Sequence, residues 1–351
     1  MLNAIGRLIS PRGSVPIALG MLLFYPGPGV AADPLSAPAA SNGADASPAA
    51  RESTRITRFE LPEQGDIIGE PVVVRAREGD TLLDVGRRYG LGYEEIRLAN
   101  PDVDTWLPGE GTEVKLPTRF ILPQAPREGI VINIAEMRLY YYPEDGGWVE
   151  TFPVSIGRMD WSTPLGETEI TMLLENPAWY PPRSIRKQAE LRGETMPFEV
   201  SPGPDNPLGS HAIMLDISGY LLHGTNRPWG IGMRVTHGCV RLYPDDISYL
   251  FDRLEVGTPV RIVDQAFKAG WSADGVLYLQ SYPLAGEHAD AAYRGKLRMA
   301  VDAVESALGD LQHRVDRRRL RDAIESQQGS LTRLSREGEE SAMVVAPARE
   351  R

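Results

Sequence analysis

The residues best suited to covalent chemistry lie close together between positions 220 and 246. The chain has one cysteine, Cys239, and three of its five histidines fall between residues 211 and 237. A single cysteine has no disulfide partner within the chain, so it is either a buried inert residue or a reactive thiol. Its neighbours favour the reactive thiol, because a nearby imidazole or guanidinium stabilises the thiolate and an imidazole can accept its proton.

The neighbours of Cys239 suggest separate chemical tasks. A thiol with a pKa of about 8.5 is only about 3% ionised at neutral pH, so a nucleophilic cysteine needs a base. His223, which ends an apolar run, and His237, two residues before the cysteine, are the candidates. Gly238 allows the backbone N–H groups around it to converge, as an oxyanion hole requires. A nucleophile, two base candidates and oxyanion donors therefore occupy one short stretch.

Two residues near this stretch have competing interpretations. Arg241 can hold a substrate carboxylate through two parallel hydrogen bonds. It can instead form a structural ion pair with Asp245 or Asp246, which open a predicted helix. His211 precedes a predicted strand and has no comparable neighbours, so we expect it to be structural.

Two motifs in this region resemble a known signature. The first is His223-Gly224-Thr225, followed by Gly232, and the second is the run His-Gly-Cys-Val-Arg-Leu at residues 237–242. Together they resemble the signature of YkuD-type L,D-transpeptidases. The resemblance covers residues 126–266, and its further matching segments are the T-P-L-G-E run at 163–167, the N-P-L-G run at 206–209 and the strand pair at 129–140.

The resemblance implies a two-step acyl transfer. The cysteine attacks the carbonyl of the third residue of a peptidoglycan tetrapeptide stem and releases D-Ala, while a histidine accepts and later returns the proton. An amine then resolves the thioester, and no metal or organic cofactor is required. The site residues carried over are the catalytic Cys239, His223, His237 and Gly238, and the substrate-binding Arg241, Gly224 and Thr225.

The amine acceptor is not specified by the motifs, because acceptor choice depends on the shape of the cleft. A lipoprotein lysine, an amine of another outer-membrane protein and the diamino acid of a second stem all remain open. The order of the segments resembles that of the Gram-negative periplasmic members, most closely those that attach the outer-membrane lipoprotein to peptidoglycan. The oligomeric state is also open.

Two alternative functions remain. In the first, water instead of an amine resolves the thioester, which would make the protein a peptidoglycan hydrolase with the same site. In the second, the chain is a non-catalytic protein that only binds peptidoglycan. The presence of both Cys239 and His223 argues against the second alternative.

Residues 70–118 predict a small β-α-α-β unit. Thr81 and Asp84 have the spacing of a helix capping box, and Gly90 is suited to end that helix in a left-handed conformation. The motifs Gly79-Asp80-Thr81-Leu82, Asn100-Pro101 and Leu107-Pro108-Gly109 resemble a LysM module, which implies binding of N-acetylglucosamine-containing glycan. A small structural cap is the alternative. Since all the chemistry lies after residue 200, we expect glycan binding to be separable from catalysis.

The segments around these two units have simpler patterns. Residues 1–32 combine Arg7 and Arg12 with an apolar stretch and small residues, which predicts a cleaved export signal; an uncleaved membrane anchor is the alternative. Together with export, the resemblance to the Gram-negative members implies a periplasmic protein. Residues 33–69 predict a flexible linker. Residues 270–328 predict a strand followed by one helix or a helix pair with an apolar stripe of period 3.5. The stripe packs on the main domain or, as the alternative, forms a short coiled coil with a partner. Residues 329–351 predict a polar tail.

Composition agrees with a mainly β protein. The chain has 351 residues, 35 of them glycine and 29 proline, and these recur between short apolar runs. The net charge of −11 and the lack of a basic stripe with interleaved aromatics argue against nucleic acid as a partner. The predicted architecture is a β-sandwich catalytic domain with a β-α-α-β module and a C-terminal helical extension.

Overall fold

The computed structural model describes residue 55 and residues 57–158, 161–284 and 293–336. The predicted signal segment lies outside these residues, as do the first part of the predicted linker and most of the predicted tail. Among the described residues, no helix is long and apolar enough to cross a membrane.

Strands dominate the part of the chain that is described. They are β1 Arg58–Glu60, β2 Ile67–Ile68, β3 Val72–Arg75, β4 Glu113–Leu116, β5 Phe120–Ile121, β6 Gly129–Asn133, β7 Arg138–Tyr142, β8 Trp148–Pro153, β9 Ile156–Gly157, β10 Gly166–Glu175, β11 His211–Leu215, β12 Leu221–His223, β13 Arg234–Thr236, β14 Val240–Arg241, β15 Pro259–Val263, β16 Phe267–Trp271, β17 Leu277–Ser281 and β18 Leu331–Arg333. The helices are α1 Leu82–Tyr89, α2 Tyr93–Ala99, α3 Arg183–Leu191, α4 Pro244–Phe251, α5 Tyr293–Leu308 and α6 Arg317–Ser326.

Within the described residues, the main sheet contains nine strands in the order β1-β8-β7-β6-β15-β10-β11-β12-β14. The long strand β10 pairs with β15 through its first residues and with β11 through its last ones, and the register shifts between Ile170 and Met172. Such an irregularity lets one strand serve two layers. Side chains from both halves, such as Ile132 and Ile213, therefore meet in one buried core. The predicted β-sandwich takes the form of a single curled sheet.

The β-α-α-β unit forms largely as the sequence predicts. The Thr81 hydroxyl accepts a hydrogen bond from the Asp84 N–H at 3.1 Å, and the Asp84 carboxylate accepts one from the Thr81 N–H at 3.0 Å, so the capping box is confirmed. Gly90 ends α1 with φ 74°. The Asn100 side chain bonds the backbone of Lys115 in both directions at 2.8 Å, and this fixes α2 against β4.

This unit packs directly on the outer face of the main sheet. Leu82 and Ile96 from its helices share one buried cluster with Val131, Tyr140 and Val149, which lie on β6, β7 and β8. Because neighbouring residues of a strand face opposite sides, these side chains point away from the inner core. The unit and the sheet therefore share a core and do not form two bodies joined by a tether.

The flexible linker predicted over residues 33–69 is wrong for its last part. β1 pairs with the edge strand β8, with Phe59 opposite Val149, and β2 pairs with β5. Arg55 forms an ion pair with Asp246 at 2.6 Å, and both side chains are largely buried. The open backbone groups of β8 give this short segment partners that its own composition does not reveal.

The C-terminal segment forms a third unit. β16, β17 and β18 make a three-stranded sheet on which α5 and α6 pack, and Trp271, Leu279, Val304 and Ile324 lie in their common core. The predicted polar tail is wrong at residues 331–333, which form β18 against β17. The helices predicted between residues 289 and 328 form a pair, with the break in the segment that begins at the positive-φ Gly309.

Candidate active site

Cys239, His223 and Arg241 lie on or beside two neighbouring strands at one edge of the main sheet. β12 and β14 run parallel, and His223 is opposite Arg241. Cys239 directly precedes β14, and its Sγ accepts a hydrogen bond from the Leu221 N–H at 3.2 Å. Leu221 and His223 are two residues apart on β12, roughly 6.6 Å along the strand. The fold therefore brings the predicted nucleophile and the predicted base together.

Burial favours the protonated form of the Cys239 thiol. The residue is 2% exposed, and burial raises the pKa of the thiol to about 12, although the Leu221 N–H and the Arg241 charge act in the opposite direction. The Sγ also donates a hydrogen bond to the Gly219 carbonyl oxygen at 3.4 Å. The cysteine becomes nucleophilic only when its surroundings change or a base takes its proton.

His223 is fully buried and neutral. Burial, and then the positive charge of Arg241, lower the pKa of its imidazole to about 3, while the backbone of Gly224 and Leu208 acts weakly in the opposite direction. A neutral imidazole is able to accept a proton. The thiol proton points to Gly219 in this structure, and contacts between catalytic groups often tighten only when substrate binds.

His237 connects the cysteine loop to helix α3. Its Nε2 lies 3.2 Å from the Gln188 Oε1, within hydrogen-bonding distance. The ring also packs on Trp161, with 4.8 Å between the ring centroids. Burial, followed by the charge of Arg158, lowers the pKa of the imidazole to about 3.

Two threonines hold the backbone on either side of Cys239. Gly238 has φ 105°, and a β-carbon there would lie 2.7 Å from the Tyr220 ring. Its carbonyl oxygen accepts a hydrogen bond from the Thr163 hydroxyl at 2.7 Å, and its N–H donates to the Thr236 hydroxyl at 3.3 Å. The Thr236 hydroxyl in turn donates to the Cys239 carbonyl oxygen at 2.6 Å. Sequence reasoning gave neither threonine a role, and the only signal was that Thr163 begins a family-like segment.

Arg241 is buried beside this loop. Burial, and then the charge of Arg227, lower the pKa of its guanidinium to about 10. Asp246, one of the two structural partners suggested for it, pairs with Arg55 instead.

The residues after His223 form a close turn. The Gly224 N–H donates to the His211 carbonyl oxygen at 3.1 Å, and a β-carbon on Gly224 would lie 3.1 Å from the Ile247 side chain. The Thr225 hydroxyl accepts a hydrogen bond from the Arg227 N–H at 2.9 Å. The His211 ring packs on Phe251 with 4.5 Å between the ring centroids.

Residues 177–209, which we name the cover segment, bury the thiol. Trp179, Ile185 and Leu208 from this segment join Cys239 in one buried cluster. Asn206 stabilises the segment, since its side-chain amide donates to three backbone carbonyl oxygens, including that of Pro177 at 2.9 Å. Because Cys239 is 2% exposed, a substrate carbonyl can reach the Sγ only after the residues around it move.

Comparisons with known proteins identify the family of this chain. The model of the L,D-transpeptidase catalytic domain, YkuD, matches residues 127–262. A Salmonella typhimurium protein named probable L,D-transpeptidase ErfK/SrfK is 38% identical over 284 residues, which are 79% of this chain and 91% of that protein. The chain belongs to the L,D-transpeptidase family and is an enzyme of that class.

Two Escherichia coli proteins show a similar relationship. One named probable L,D-transpeptidase YbiS is 37% identical over 285 residues, which cover 79% of this chain and 92% of that protein. One named probable L,D-transpeptidase YcfS is 40% identical over 236 residues, which cover 66% of this chain and 74% of that protein. The similarity thus extends well beyond the catalytic domain.

Proposed function

We propose that this protein is a periplasmic L,D-transpeptidase that transfers the acyl group of a peptidoglycan tetrapeptide stem to an amine, with Cys239 as nucleophile and His223 as base. The observation that supports it best is the placement of these two residues on neighbouring strands, next to Arg241, within the segment that matches the family's catalytic domain. Family membership gives the reaction class, and the residue roles are our assignment.

The first step forms a thioester. His223 accepts the thiol proton and the Cys239 sulfur bonds to the carbonyl carbon of the third stem residue. Backbone N–H groups around Gly238 stabilise the oxyanion that forms. The bond to D-Ala then breaks, and the leaving amine takes the proton back from His223.

The second step returns the enzyme to its starting state. An acceptor amine attacks the thioester, a new amide forms and the sulfur leaves as a thiolate that regains a proton through His223. Arg241, together with the turn of Gly224 and Thr225, binds the stem, and the buried guanidinium suits a carboxylate. His237 holds the cysteine loop against α3.

The acceptor we favour is a lysine of an outer-membrane lipoprotein, with another outer-membrane protein or a second stem as further acceptors. We also propose that residues 70–118 form a LysM-like unit that binds the glycan. Its exposed side chains include Trp106 and Leu107, which follow the Asn100-Pro101 motif. Together these features would place the stem beside the catalytic edge of the sheet.

Intact-mass measurement of the protein with a tetrapeptide stem tests the proposed chemistry. We expect an adduct on the native protein that lacks the mass of D-Ala, and no adduct on Cys239→Ala, which removes the nucleophile and little volume. An adduct on the alanine variant would show that the nucleophile is another residue.

Addition of an amine separates the transferase from the hydrolase. A transferase converts the thioester to the amine conjugate, whereas a hydrolase releases free tripeptide at the same rate with or without amine. Murein digests from cells with and without this protein, analysed by mass spectrometry, then identify the natural acceptor.

A further inference from the structure

The N-terminus of helix α2 contacts the loop that leads into the catalytic motif. The Tyr93 N–H donates a hydrogen bond to the Ile231 carbonyl oxygen at 2.9 Å, and the Glu94 N–H donates to the Gly232 carbonyl oxygen at 3.2 Å. Helix α2 belongs to the β-α-α-β unit, whereas Ile231 and Gly232 lie between His223 and Cys239. Two backbone hydrogen bonds thus join the proposed glycan-binding unit to the catalytic loop.

Two glycines allow this contact. Gly232 has φ 86°, and a β-carbon there would lie 2.5 Å from the Cα of Gly92 and 2.3 Å from the Tyr93 nitrogen. A β-carbon on Gly92 would lie 2.8 Å from the Cα of Gly232 and 3.2 Å from Pro153. Gly92 itself has φ −87°, which any residue can adopt. Space at the junction, not backbone conformation, therefore requires glycine at position 92.

Buried polar contacts fix the helix side of the junction. One carboxylate oxygen of Glu95 accepts the Gly92 N–H at 2.7 Å, and the other pairs with Arg138 on β7 at 2.7 Å. The Tyr243 hydroxyl, two residues after Arg241, donates to the Leu91 carbonyl oxygen at 3.1 Å. Contacts with β7 and with the residues that follow β14 thus hold the N-terminus of α2.

On the loop side of the junction, the chain reaches the nucleophile Cys239 within a few residues of Gly232. Gly232 is followed by β13, whose pairing with β9 aligns Thr236 with Gly157. The Gly157 N–H donates to the Thr163 hydroxyl at 3.0 Å, and the same hydroxyl donates to the Gly238 carbonyl oxygen. A displacement of Gly232 therefore reaches Cys239 through a short, hydrogen-bonded path.

We propose that the Gly92–Gly232 junction positions the catalytic loop, so that the β-α-α-β unit sets the placement of Cys239 relative to His223. Gly92, Gly232 and Tyr243 are positioning residues in this proposal, since they act through the loop. The proposal rests on the proposed function for its effect on acyl transfer, but the coupling between the two units can be measured independently.

The test uses the full-length protein and two readouts. The first is the rate of Cys239 acylation by a tetrapeptide stem. The second is the pH midpoint of alkylation by iodoacetamide, which reports on this thiol alone because the chain has one cysteine. Unfolded chains carry an exposed thiol with an ordinary pKa and would also move the observed midpoint, so the midpoint is compared only between proteins whose free energy of unfolding, measured in urea, is the same. At equal stability, the second readout separates positioning from a structural role.

Three variants distinguish an effect of the Gly92–Gly232 junction from an effect of any change in the catalytic loop. Gly92→Ala adds a methyl group on the helix side of the junction, away from Cys239, and pushes the two segments apart. Tyr243→Phe removes one hydrogen bond and adds no volume. Gly230→Ala is the matched control, because it lies two residues before Gly232 and a β-carbon there meets nothing within 4 Å. We expect Gly92→Ala to slow acylation by roughly 10- to 100-fold, the range for small misplacements of reacting groups.

We also expect Gly92→Ala to shift the alkylation midpoint, Tyr243→Phe to act in the same direction with smaller size, and Gly230→Ala to match the native protein. Unchanged acylation and midpoint in Gly92→Ala would overturn the proposal, and if that variant does not fold, Tyr243→Phe decides in the same way. If the native protein forms no acyl adduct, the proposed function fails, and the midpoint alone then decides the coupling.

Discussion

Replacement of Glu95 by alanine should destabilise the whole catalytic sheet. The Arg138 side chain has no exposed surface, and it bonds the Glu95 carboxylate at 2.7 Å, the Thr151 hydroxyl at 2.9 Å and the Gly90 carbonyl oxygen at 3.0 Å. Among the described residues, removal of the carboxylate leaves the buried guanidinium hydrogen-bonded to two neutral acceptors, the Thr151 hydroxyl and the Gly90 carbonyl oxygen. Breaking a buried pair in this way costs about 3–5 kcal/mol, against about 5–15 kcal/mol for the total stability of a typical domain.

A neighbouring pair provides the control. Glu94 pairs with Arg97 on the same helix, but those side chains are 31% and 44% exposed, so Glu94→Ala should cost about 0.5 kcal/mol or less. In the double variant Glu95→Met, Arg138→Met, apolar side chains replace both partners. This double variant should recover most of the loss, because no charge is then left unpaired.

Urea unfolding followed by tryptophan fluorescence measures these effects. If the β-α-α-β unit and the sheet share one core, Glu95→Ala lowers the midpoint of a single transition. Two separate transitions, with the catalytic one unmoved, would refute this reasoning and support the separable glycan-binding unit that the sequence predicts. The shared core also changes one earlier expectation: deletion of residues 70–118 should remove acylation as well as glycan binding, because it exposes the outer face of β6, β7 and β8.

Three further predictions address the site itself. His223→Ala should slow acylation by roughly 10²- to 10⁴-fold, as for a positioned general base, and a much larger effect of His237→Ala in the same mass assay would mean that the base is misassigned. Thr163→Val should lower the free energy of unfolding, measured in urea, by about 1–3 kcal/mol, because it leaves buried partners unpaired. Thr168→Val should be nearly neutral, because no hydrogen bond from the described residues engages that hydroxyl. The imidazole pKa of His223 is lowered to about 3, so only the unfolded chain takes up this proton below about pH 6.5, and stability falls as the pH drops from there towards 3. The free energy of unfolding should fall by up to about 1.4 kcal/mol per pH unit on account of this group. An equally steep fall in His223→Asn would contradict the assignment of this pH dependence to His223.

Features encoded by residues close in sequence could be predicted. The capping box of Thr81 and Asp84, the helix end at Gly90 and strand β4 depend on local spacing, and all three are confirmed. The grouping of Cys239 with His223 could also be predicted, because the motif is dense and specific. Their catalytic roles remain predictions that the experiments above address.

Features that depend on distant chain segments could not be predicted. The burial of Cys239 requires the cover segment to fold over it, and nothing in the local sequence around Trp179 signals that partner. The pairing of β1 with β8 involves three residues without a hydrophobic pattern, which gain their partners only from an open sheet edge. Likewise, the local sequence places Glu95 in the first turn of a helix and does not indicate its buried ion pair, because the partner Arg138 lies on the distant strand β7.

The parallel pairing of β6 with β15 has a consequence for how the chain folds. Ile130 is opposite Val260, so the curled sheet can close only after residues about 130 positions apart in sequence have met. β6, β7 and β8 are able to form first as a local meander, but such long-range closure slows the final step of folding. Until β15 docks, the half of the sheet that carries the single cysteine has no completed core behind it. The thiol is therefore most open to oxidation during folding, before burial protects it.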